Sequence, residues 1–219
     1  MEKTLYGILK TTGICPIMVE PKIEQAVPAA KALAQGGIPV CEVLMRNENS
    51  LKHLNNIAKE APEVIVGAGS VLNVEQAKQV IDLGAKFIVM PGFDSKIVEH
   101  CLKNDISVLP GCVTATELMM ALSYGIKVVK FYPVYEMGGT ATLAQFNNGP
   151  FGMIEWVVTG GLNGQNFLPL VAYKNTLAAG GDWMFNVKNA LVNSDYEQIA
   201  DNTRETVLDA LNARAAAKK

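Results

Sequence analysis

The sequence predicts an α/β protein that folds as a single (β/α)₈ barrel over residues 1–219, and three observations support this prediction. Eight short apolar runs recur at intervals of roughly 20 to 28 residues. Amphipathic stretches separate the runs, and glycine often stands shortly before the next run. Repeated strand–helix units in a chain of this length are typical of a closed TIM barrel.

Each apolar run has the length and composition of a buried parallel strand. Parallel strands are covered on both faces, so their sequences are almost continuously apolar. The predicted strands are, in chain order, residues 15–19, 40–45, 64–69, 86–92, 107–111, 127–133, 154–161 and 176–181. A doubly wound open sheet is the alternative, but its GxGxxG nucleotide fingerprint does not follow the first run.

The stretches between the strands have the pattern of amphipathic helices with recognisable ends. Apolar residues recur at helical spacing over residues 23–34 and 51–58. Glycines at 36–37, 84 and 125 predict helix ends directly before a strand. Capping spacing predicts three helix starts: Asn73 with Gln76, Thr114 with Glu117, and Ser194 with Glu197.

Composition and charge exclude several classes of function. Hydrophobic residues make up 49% and charged residues 18%, which excludes a disordered chain. The net charge of −2, without a basic segment before the last two lysines, argues against nucleic acid and membrane partners. No apolar run is long enough to span a bilayer, and the N-terminal segment lacks the apolar core of a signal peptide.

The cysteines and histidines indicate neither disulfides nor a metal site. The four cysteines form no CxxC pair, so we expect buried free thiols in a reducing cytoplasm. His53 and His100 fall on predicted helices far from any acidic cluster, and we expect surface or helix-face residues rather than metal ligands. We therefore predict a cytoplasmic protein with no metal and no other cofactor.

Lys130 is the most unusual residue near the carboxyl ends of the predicted strands, where barrel enzymes carry their reacting groups. It stands inside an apolar strand, and alternation places Val128 and Tyr132 on the same face. Burial disfavours an ammonium ion, and the neutral amine is the nucleophile that attacks a ketone. The alternative is a structural lysine that caps a barrel layer through a salt bridge or extends to the rim.

Glu42 is a second charged residue inside an otherwise apolar strand. A buried carboxylate needs a partner or becomes protonated, and Lys130 is that partner if both side chains point into the barrel. Glu42 would then transfer protons during imine formation and bond cleavage. A structural ion pair between the two residues is the alternative.

Arg46 and two glycine pairs complete the candidate site. Arg46 lies four residues beyond Glu42, at the barrel mouth, where its planar fork suits a substrate carboxylate. Pairing with Glu48 on an exposed loop is equally consistent with the spacing. Gly160–Gly161 and Gly180–Gly181 close the last two strands, where barrels often bind phosphate through backbone N–H groups.

Seven stretches of the chain carry a resemblance to a known family. They are EVLMR (42–46), GAGSVL (67–72), MPG (90–92), PGCVTATE (110–117), VKFYP (129–133), VTGG (158–161) and GGDW (180–183). In this order the sequence resembles the bacterial 2-keto-3-deoxy-6-phosphogluconate and 4-hydroxy-2-oxoglutarate aldolases. The resemblance implies a class I, Schiff-base-forming aldolase that acts on a 2-keto acid, assembles as a homotrimer and uses no metal or cofactor.

The resemblance also implies roles for individual residues. Lys130 forms the imine with the substrate ketone, and Glu42 transfers protons. Arg46 and Ser70 hold the pyruvate carboxylate, and Thr159 matches the threonine before the paired glycines. The remaining implied substrate-binding residues are Pro91, Phe131, Gly160, Gly161, Gly181 and Asp182.

Asp182 departs from the family pattern in a way that bears on the substrate. The family's loop usually reads GGSW, whereas this chain reads GGDW, and Glu136 adds a second acid near the mouth. A carboxylate repels a phosphate and accepts hydrogen bonds without donating them. We expect a non-phosphorylated 2-keto-3-deoxy sugar acid, or the 6-phosphate if Asp182 caps the next helix and points away.

Other functions remain open from the sequence. They are cleavage of 4-hydroxy-2-oxoglutarate to pyruvate and glyoxylate, a phosphosugar isomerase or epimerase, and a barrel that binds a sugar acid without catalysis. Asp182 argues against the phosphosugar enzyme, and the intact set of Glu42, Arg46 and Lys130 argues against the binding protein.

Overall fold

Eight parallel strands alternate with helices in the computed structural model, which describes residues 4–218. The strands are β1 (Ile14–Met18), β2 (Val40–Leu44), β3 (Ile65–Gly69), β4 (Phe87–Val89), β5 (Ser107–Leu109), β6 (Val128–Phe131), β7 (Glu155–Thr159) and β8 (Thr176–Gly181). The helices are α1 (Leu5–Thr12), α2 (Ile23–Gln35), α3 (Ser50–Glu60), α4 (Val74–Asp82), α5 (Ser95–Lys103), α6 (Ala115–Ser123), α7 (Gly139–Asn148), α8 (Leu168–Val171), α9 (Trp183–Asn186) and α10 (Tyr196–Ala216), with a 3₁₀ turn at Val187–Asn189. The predicted (β/α)₈ barrel is confirmed.

All eight predicted strands are present, but most end earlier than predicted. Residues 90–92, 110–111, 132–133 and 160–161 were predicted as strand and lie beyond the regular ladders. The regular ladders end there, and only isolated backbone hydrogen bonds, such as Gly111 N to Gly92 O at 3.1 Å, continue as the chain turns into the loops that surround the barrel mouth. In (β/α)₈ barrels the binding residues generally lie at these positions, beyond the carboxyl ends of the strands.

The sheet closes into a barrel through the backbone of Lys130. Neighbouring strands pair in the order β5-β4-β3-β2-β1-β8-β7-β6. At the seam between β5 and β6, Lys130 N donates to Pro110 O and Cys112 N donates to Lys130 O, both at 2.9 Å. Lys130 also forms an isolated parallel bridge with Gly111. These bonds fix the height of Lys130 in the barrel.

Strand register determines which side chains share a level inside the barrel. Glu42 on β2 is aligned with Ile17 on β1 and with Gly67 on β3. Lys130 on β6 is aligned with Val157 on β7. Because β2 and β6 are separated by β1, β8 and β7 around the sheet, Glu42 and Lys130 face each other across the interior.

Two of the three predicted helix starts are confirmed. The side chains of Asn73 and Thr114 cap α4 and α6 by accepting backbone N–H groups. The third prediction was wrong by one residue, because Asp195 rather than Ser194 caps α10 and accepts from Gln198 N at 2.9 Å. Ser194 has a left-handed backbone (φ +56°), whereas a capping residue is usually extended.

The thiols lie as predicted, and one of the two histidines is buried on a helix face. The four cysteines are buried and free, and burial raises the pKa of Cys101 and Cys112 to about 12. His53 lies on the inner face of α3 with 1% exposure, so of the two expected positions it occupies the helix face and not the surface. Its burial lowers the pKa of the imidazole. Within residues 4–218, no helix combines the length and apolar character that crossing a membrane requires.

Candidate active site

Lys130 and Glu42 meet inside the barrel. Lys130 Nζ lies 3.9 Å from Glu42 Oε1, and the two side chains are 9% and 1% exposed. This separation permits electrostatic attraction but exceeds a direct hydrogen bond. Glu42 Oε1 has no hydrogen-bond partner among the described residues. The gap suits a water molecule or a substrate hydroxyl that bridges the amine and the carboxyl group.

Glycine on the neighbouring strand makes room for the Glu42 carboxyl group. A Cβ atom on Gly69 would overlap Glu42 Oε1 and would lie 2.8 Å from Glu42 Cδ. Gly69 is the last residue of β3 and is paired with Leu44 on β2. The carboxyl group therefore occupies the space that a side chain at position 69 would fill.

Burial controls the protonation of Glu42. Desolvation raises the pKa of its carboxyl group, and the positive charges of Lys130 and Arg46 offset part of this rise. A carboxyl group with a raised pKa accepts and releases a proton more readily near neutral pH than an exposed glutamate does. These are the properties that proton transfer in a closed site requires.

Arg46 and Ser70 lie together at the barrel mouth. Arg46 Nε donates to Ser70 Oγ at 3.3 Å, and no salt bridge joins Arg46 to Glu48 in the described chain. Ser70 has a left-handed backbone (φ +60°), an uncommon conformation for a residue other than glycine. The guanidinium group and the hydroxyl face the same cavity as Lys130, so a carboxylate has donors beside the amine.

A cavity of about 230 Å³ opens above Lys130 at the carboxyl ends of the strands. Among the predicted site residues it is lined by Arg46, Ser70, Pro91, Lys130, Thr159, Gly160, Gly161, Gly181 and Asp182. The cavity is also lined by Gly180, from the second predicted glycine pair, and by five residues that sequence reasoning did not assign to the site: Ile17, Val19, Leu44, Tyr132 and Leu162. A larger cleft of about 510 Å³ surrounds Arg214 at the opposite end of the barrel, away from the Lys130–Glu42 pair.

Tyr132, rather than Phe131, forms part of the cavity wall. Phe131 is fully buried on the outer face of β6, where its ring packs edge-on against Trp156 with centroids 5.5 Å apart. The expectation that Phe131 lines the pocket does not match this position. The ring of Tyr132 lies beside Lys130, with Nζ 5.3 Å from the ring centroid. Strand alternation, which already placed Tyr132 on the same face as Lys130, was the signal that could have assigned it to the site.

Thr159 brings a second unsatisfied polar group to the cavity. Its Oγ1 atom is buried and has no hydrogen-bond partner within residues 4–218. The neighbouring Gly180 lets the methyl group of Thr159 pack closely, since a Cβ there would lie 2.7 Å from Thr159 Cγ2. Because buried polar groups in folded proteins normally have a hydrogen-bond partner, this hydroxyl is a candidate group for contact with a ligand.

Asp182 is part of the cavity wall. It occupies the position before α9, but its side chain makes no capping hydrogen bond. The alternative in which Asp182 caps this helix therefore disagrees with the structure. Glu136 is exposed and does not line the cavity.

Comparison with known proteins assigns the family. A family model for KDPG and KHG aldolases matches residues 5–202. The KHG/KDPG aldolase of Escherichia coli (strain K12) is 40% identical over 201 residues, which cover 92% of this chain and 93% of that protein. The 2-dehydro-3-deoxy-phosphogluconate aldolase of Treponema pallidum (strain Nichols) is 37% identical over 204 residues, covering 93% of this chain and 96% of that protein.

A solved structure agrees with these sequence relatives. It is the KDPG aldolase of Legionella pneumophila with pyruvate captured at low pH as a covalent carbinolamine intermediate. It matches with a TM-score of 0.86 at 30% identity and covers 93% of this chain and 98% of its own. From the match of the family model and the extent of these identities, we conclude that the chain belongs to the KDPG and KHG aldolase family.

Proposed function

We propose that the chain cleaves a 2-keto-3-deoxy sugar acid to pyruvate and an aldehyde through an imine on Lys130. The substrate is 2-dehydro-3-deoxy-6-phosphogluconate or a non-phosphorylated relative. The enzyme is an aldolase, a carbon–carbon lyase, as its family indicates. The observation that carries the proposal for the residues is the enclosed pair of Lys130 Nζ and Glu42 Oε1 below a cavity that also contains Arg46.

The first step forms the imine. The substrate carboxylate lies at Arg46 and Ser70, which places C2 beside Lys130 Nζ. The neutral amine attacks C2 to give a carbinolamine, and loss of water gives a protonated imine. Glu42, through a bridging water, protonates the departing hydroxyl. The ring of Tyr132 lies beside the nitrogen and favours the positive charge.

The second step breaks the C3–C4 bond. Glu42 removes the proton of the C4 hydroxyl, the C4–O bond becomes the aldehyde carbonyl, and the bonding pair moves to C3 and into the imine. The resulting enamine takes up a proton at C3, and water hydrolyses the imine to release pyruvate. Thr159 Oγ1, buried and unpartnered, donates or accepts a hydrogen bond at the reacting oxygen.

A second substrate is favoured by one finding. The Escherichia coli relative is a KHG/KDPG aldolase, and its name covers 4-hydroxy-2-oxoglutarate as well. Cleavage of that compound yields pyruvate and glyoxylate through the same steps. The aldehyde fragment then carries a carboxylate, whose single negative charge meets part of the repulsion from Asp182 that a phosphate would meet. The alternative of a binding protein without catalysis predicts no covalent adduct.

The assembly proposed for the enzyme is a homotrimer in the cytoplasm. Exposed apolar side chains support association, among them Leu72 at 65% and Met119 at 64% exposure. The free buried thiols support a reducing compartment. Light scattering coupled to size-exclusion chromatography measures the number of subunits.

Borohydride reduction in the presence of pyruvate tests the proposed function. Intact-mass and peptide mass spectrometry are expected to locate one reduced pyruvate adduct on Lys130. Lys130→Met is expected to form no adduct and to lose turnover while the barrel stays folded. Unmodified wild-type protein, or full activity in Lys130→Met, would contradict the imine mechanism.

A further inference from the structure

The charged side chains of the cavity are unevenly distributed. Of the residues that line it, Arg46, Lys130 and Asp182 are charged. Arg46 follows β2 and Lys130 lies on β6, whereas Asp182 follows β8, which is two strands away from each around the barrel. The cavity therefore has a cationic region at Arg46 and Lys130. Its other region, beside Gly160, Gly161 and Gly181, contains the carboxylate of Asp182.

The carboxylate of Asp182 is available to a ligand. Five longer helices have side-chain caps, and two of the capping groups, Asp94 and Asp195, are aspartates that accept backbone N–H groups. Asp182 stands at the equivalent position before α9 and makes no such bond. Among residues 4–218, no side-chain hydrogen bond or salt bridge is made by the Asp182 carboxylate. A half-buried carboxylate without a protein partner satisfies its oxygens with donors from water or from a ligand.

The position of the keto acid decides which part of the substrate meets Asp182. With the carboxylate at Arg46 and C2 at Lys130, the carbons beyond C3 extend toward the remaining side of the cavity. That side is formed by Thr159, Gly160, Gly161, Gly181 and Asp182. The aldehyde fragment of the substrate therefore lies against the Asp182 carboxylate.

We propose that Asp182 selects the tail of the substrate, accepting hydrogen bonds from the hydroxyls of an unphosphorylated 2-keto-3-deoxy sugar acid and disfavouring a terminal phosphate. This inference rests on the proposed function and narrows its substrate. An ionised aspartate only accepts hydrogen bonds, and sugar hydroxyls donate them. A phosphate monoester carries about −1.5 to −2 charges near neutral pH and has only acceptor oxygens, so it gains nothing from this carboxylate and is repelled by it.

The ratio of two specificity constants tests the inference. The kcat/KM values for cleavage of 2-keto-3-deoxygluconate and of its 6-phosphate are measured through pyruvate release. The wild-type enzyme is expected to favour the unphosphorylated acid. Asp182→Asn keeps the size of the side chain and removes its charge, and it is expected to shift the ratio toward the phosphate by about tenfold or more. Asp182→Ser is expected to shift it in the same direction.

Glu136→Gln is the matched control, since Glu136 is an exposed acid that does not line the cavity. It is expected to leave the ratio unchanged. The inference is overturned if the wild-type enzyme prefers the phosphate and Asp182→Asn leaves the ratio of kcat/KM values unchanged. If Glu136→Gln shifts this ratio as much as Asp182→Asn does, a direct contact between Asp182 and the substrate is refuted. Pyruvate trapping on Lys130 is measured in every variant. Loss of trapping in the wild-type protein would refute the proposed function itself, whereas trapping with an unchanged ratio refutes only the role of Asp182.

Discussion

The carboxyl group of Glu42 has to exchange protons while the barrel encloses it. Desolvation raises its pKa above the ordinary value of 4.5, and Lys130 and Arg46 counteract this only in part. The proposed cleavage step needs the ionised form as a base. The acid limb of the pH–rate profile therefore reports this group if the proposal is correct.

Substitution of Glu42 by Gln is expected to reduce kcat by about 10²- to 10⁴-fold. In the wild-type enzyme, cleavage is expected to rise with pH through a pKa above 4.5, and the variant is expected to lack this limb. The measurement is kcat and kcat/KM across pH. An unchanged profile in Glu42→Gln would assign proton transfer to another group.

The same shift affects stability with a defined sign. The folded protein holds the Glu42 proton more tightly than the unfolded chain does. The stability that this group contributes is therefore fully present below about pH 4.5 and is lost as the pH rises through the folded-state pKa. Because glutamine does not titrate, the difference in free energy of unfolding between wild type and Glu42→Gln should change in the variant's favour with rising pH. Denaturant unfolding at several pH values measures it, and parallel curves would contradict a raised pKa.

At the scale of the strands, alternation and glycine decide which side chains reach the site. Sequence alternation was sufficient to place Lys130 and Tyr132 on one face of β6. Phe131 was assigned to the pocket through the family resemblance alone, and it lies on the other face against Trp156. The strand pattern was the better guide because the direction of a side chain follows from local geometry.

Gly69 on β3 leaves the space that the Glu42 carboxyl group occupies. Its backbone φ does not require glycine, but an added Cβ would overlap Glu42 Oε1. Gly69→Ala is expected to displace the carboxyl group, to lower kcat by roughly 100-fold and to reduce the free energy of unfolding by about 1–3 kcal/mol. Steady-state kinetics and denaturant unfolding provide the two measurements.

Gly92→Ala is the matched control, because a Cβ at Gly92 meets nothing within 4 Å. It is expected to change the free energy of unfolding by less than about 0.5 kcal/mol. If Gly69→Ala retains wild-type kcat, catalysis does not depend on the observed position of Glu42.

At the scale of the whole molecule, Arg214 links the last helix, α10, to the amino-terminal end of the barrel through hydrogen bonds. Arg214 on α10 donates to the backbone carbonyls of Lys10, Val171, Thr176 and Leu177 at 2.6 to 3.2 Å. Burial lowers the pKa of its guanidinium group. These bonds join residues from both ends of the chain, at the face opposite the candidate site.

Arg214→Ala is expected to lower the free energy of unfolding by about 2–4 kcal/mol, since several backbone acceptors lose a charged donor. The kcat at saturating substrate is expected to stay unchanged, because the site lies at the other end of the barrel. Arg204→Ala is the control: Arg204 pairs with Asp201 on the exposed side of α10, and such pairs contribute about 0–1 kcal/mol. Equal effects of the two substitutions would mean that the Arg214 bonds add little.

The sequence by itself determined the barrel, the positions of its eight strands along the chain and the two charged residues that interrupt apolar strands. These features depend on local periodicity and on the cost of burying charge, both of which can be evaluated along a single chain. Only the tertiary structure decided that Glu42 Oε1 lies 3.9 Å from Lys130 Nζ and that Asp182 is part of the cavity wall instead of capping α9. Both outcomes depend on where the barrel closes and on the space left by residues on other strands, such as Gly69, and distances of this kind are set by packing between segments far apart in the sequence.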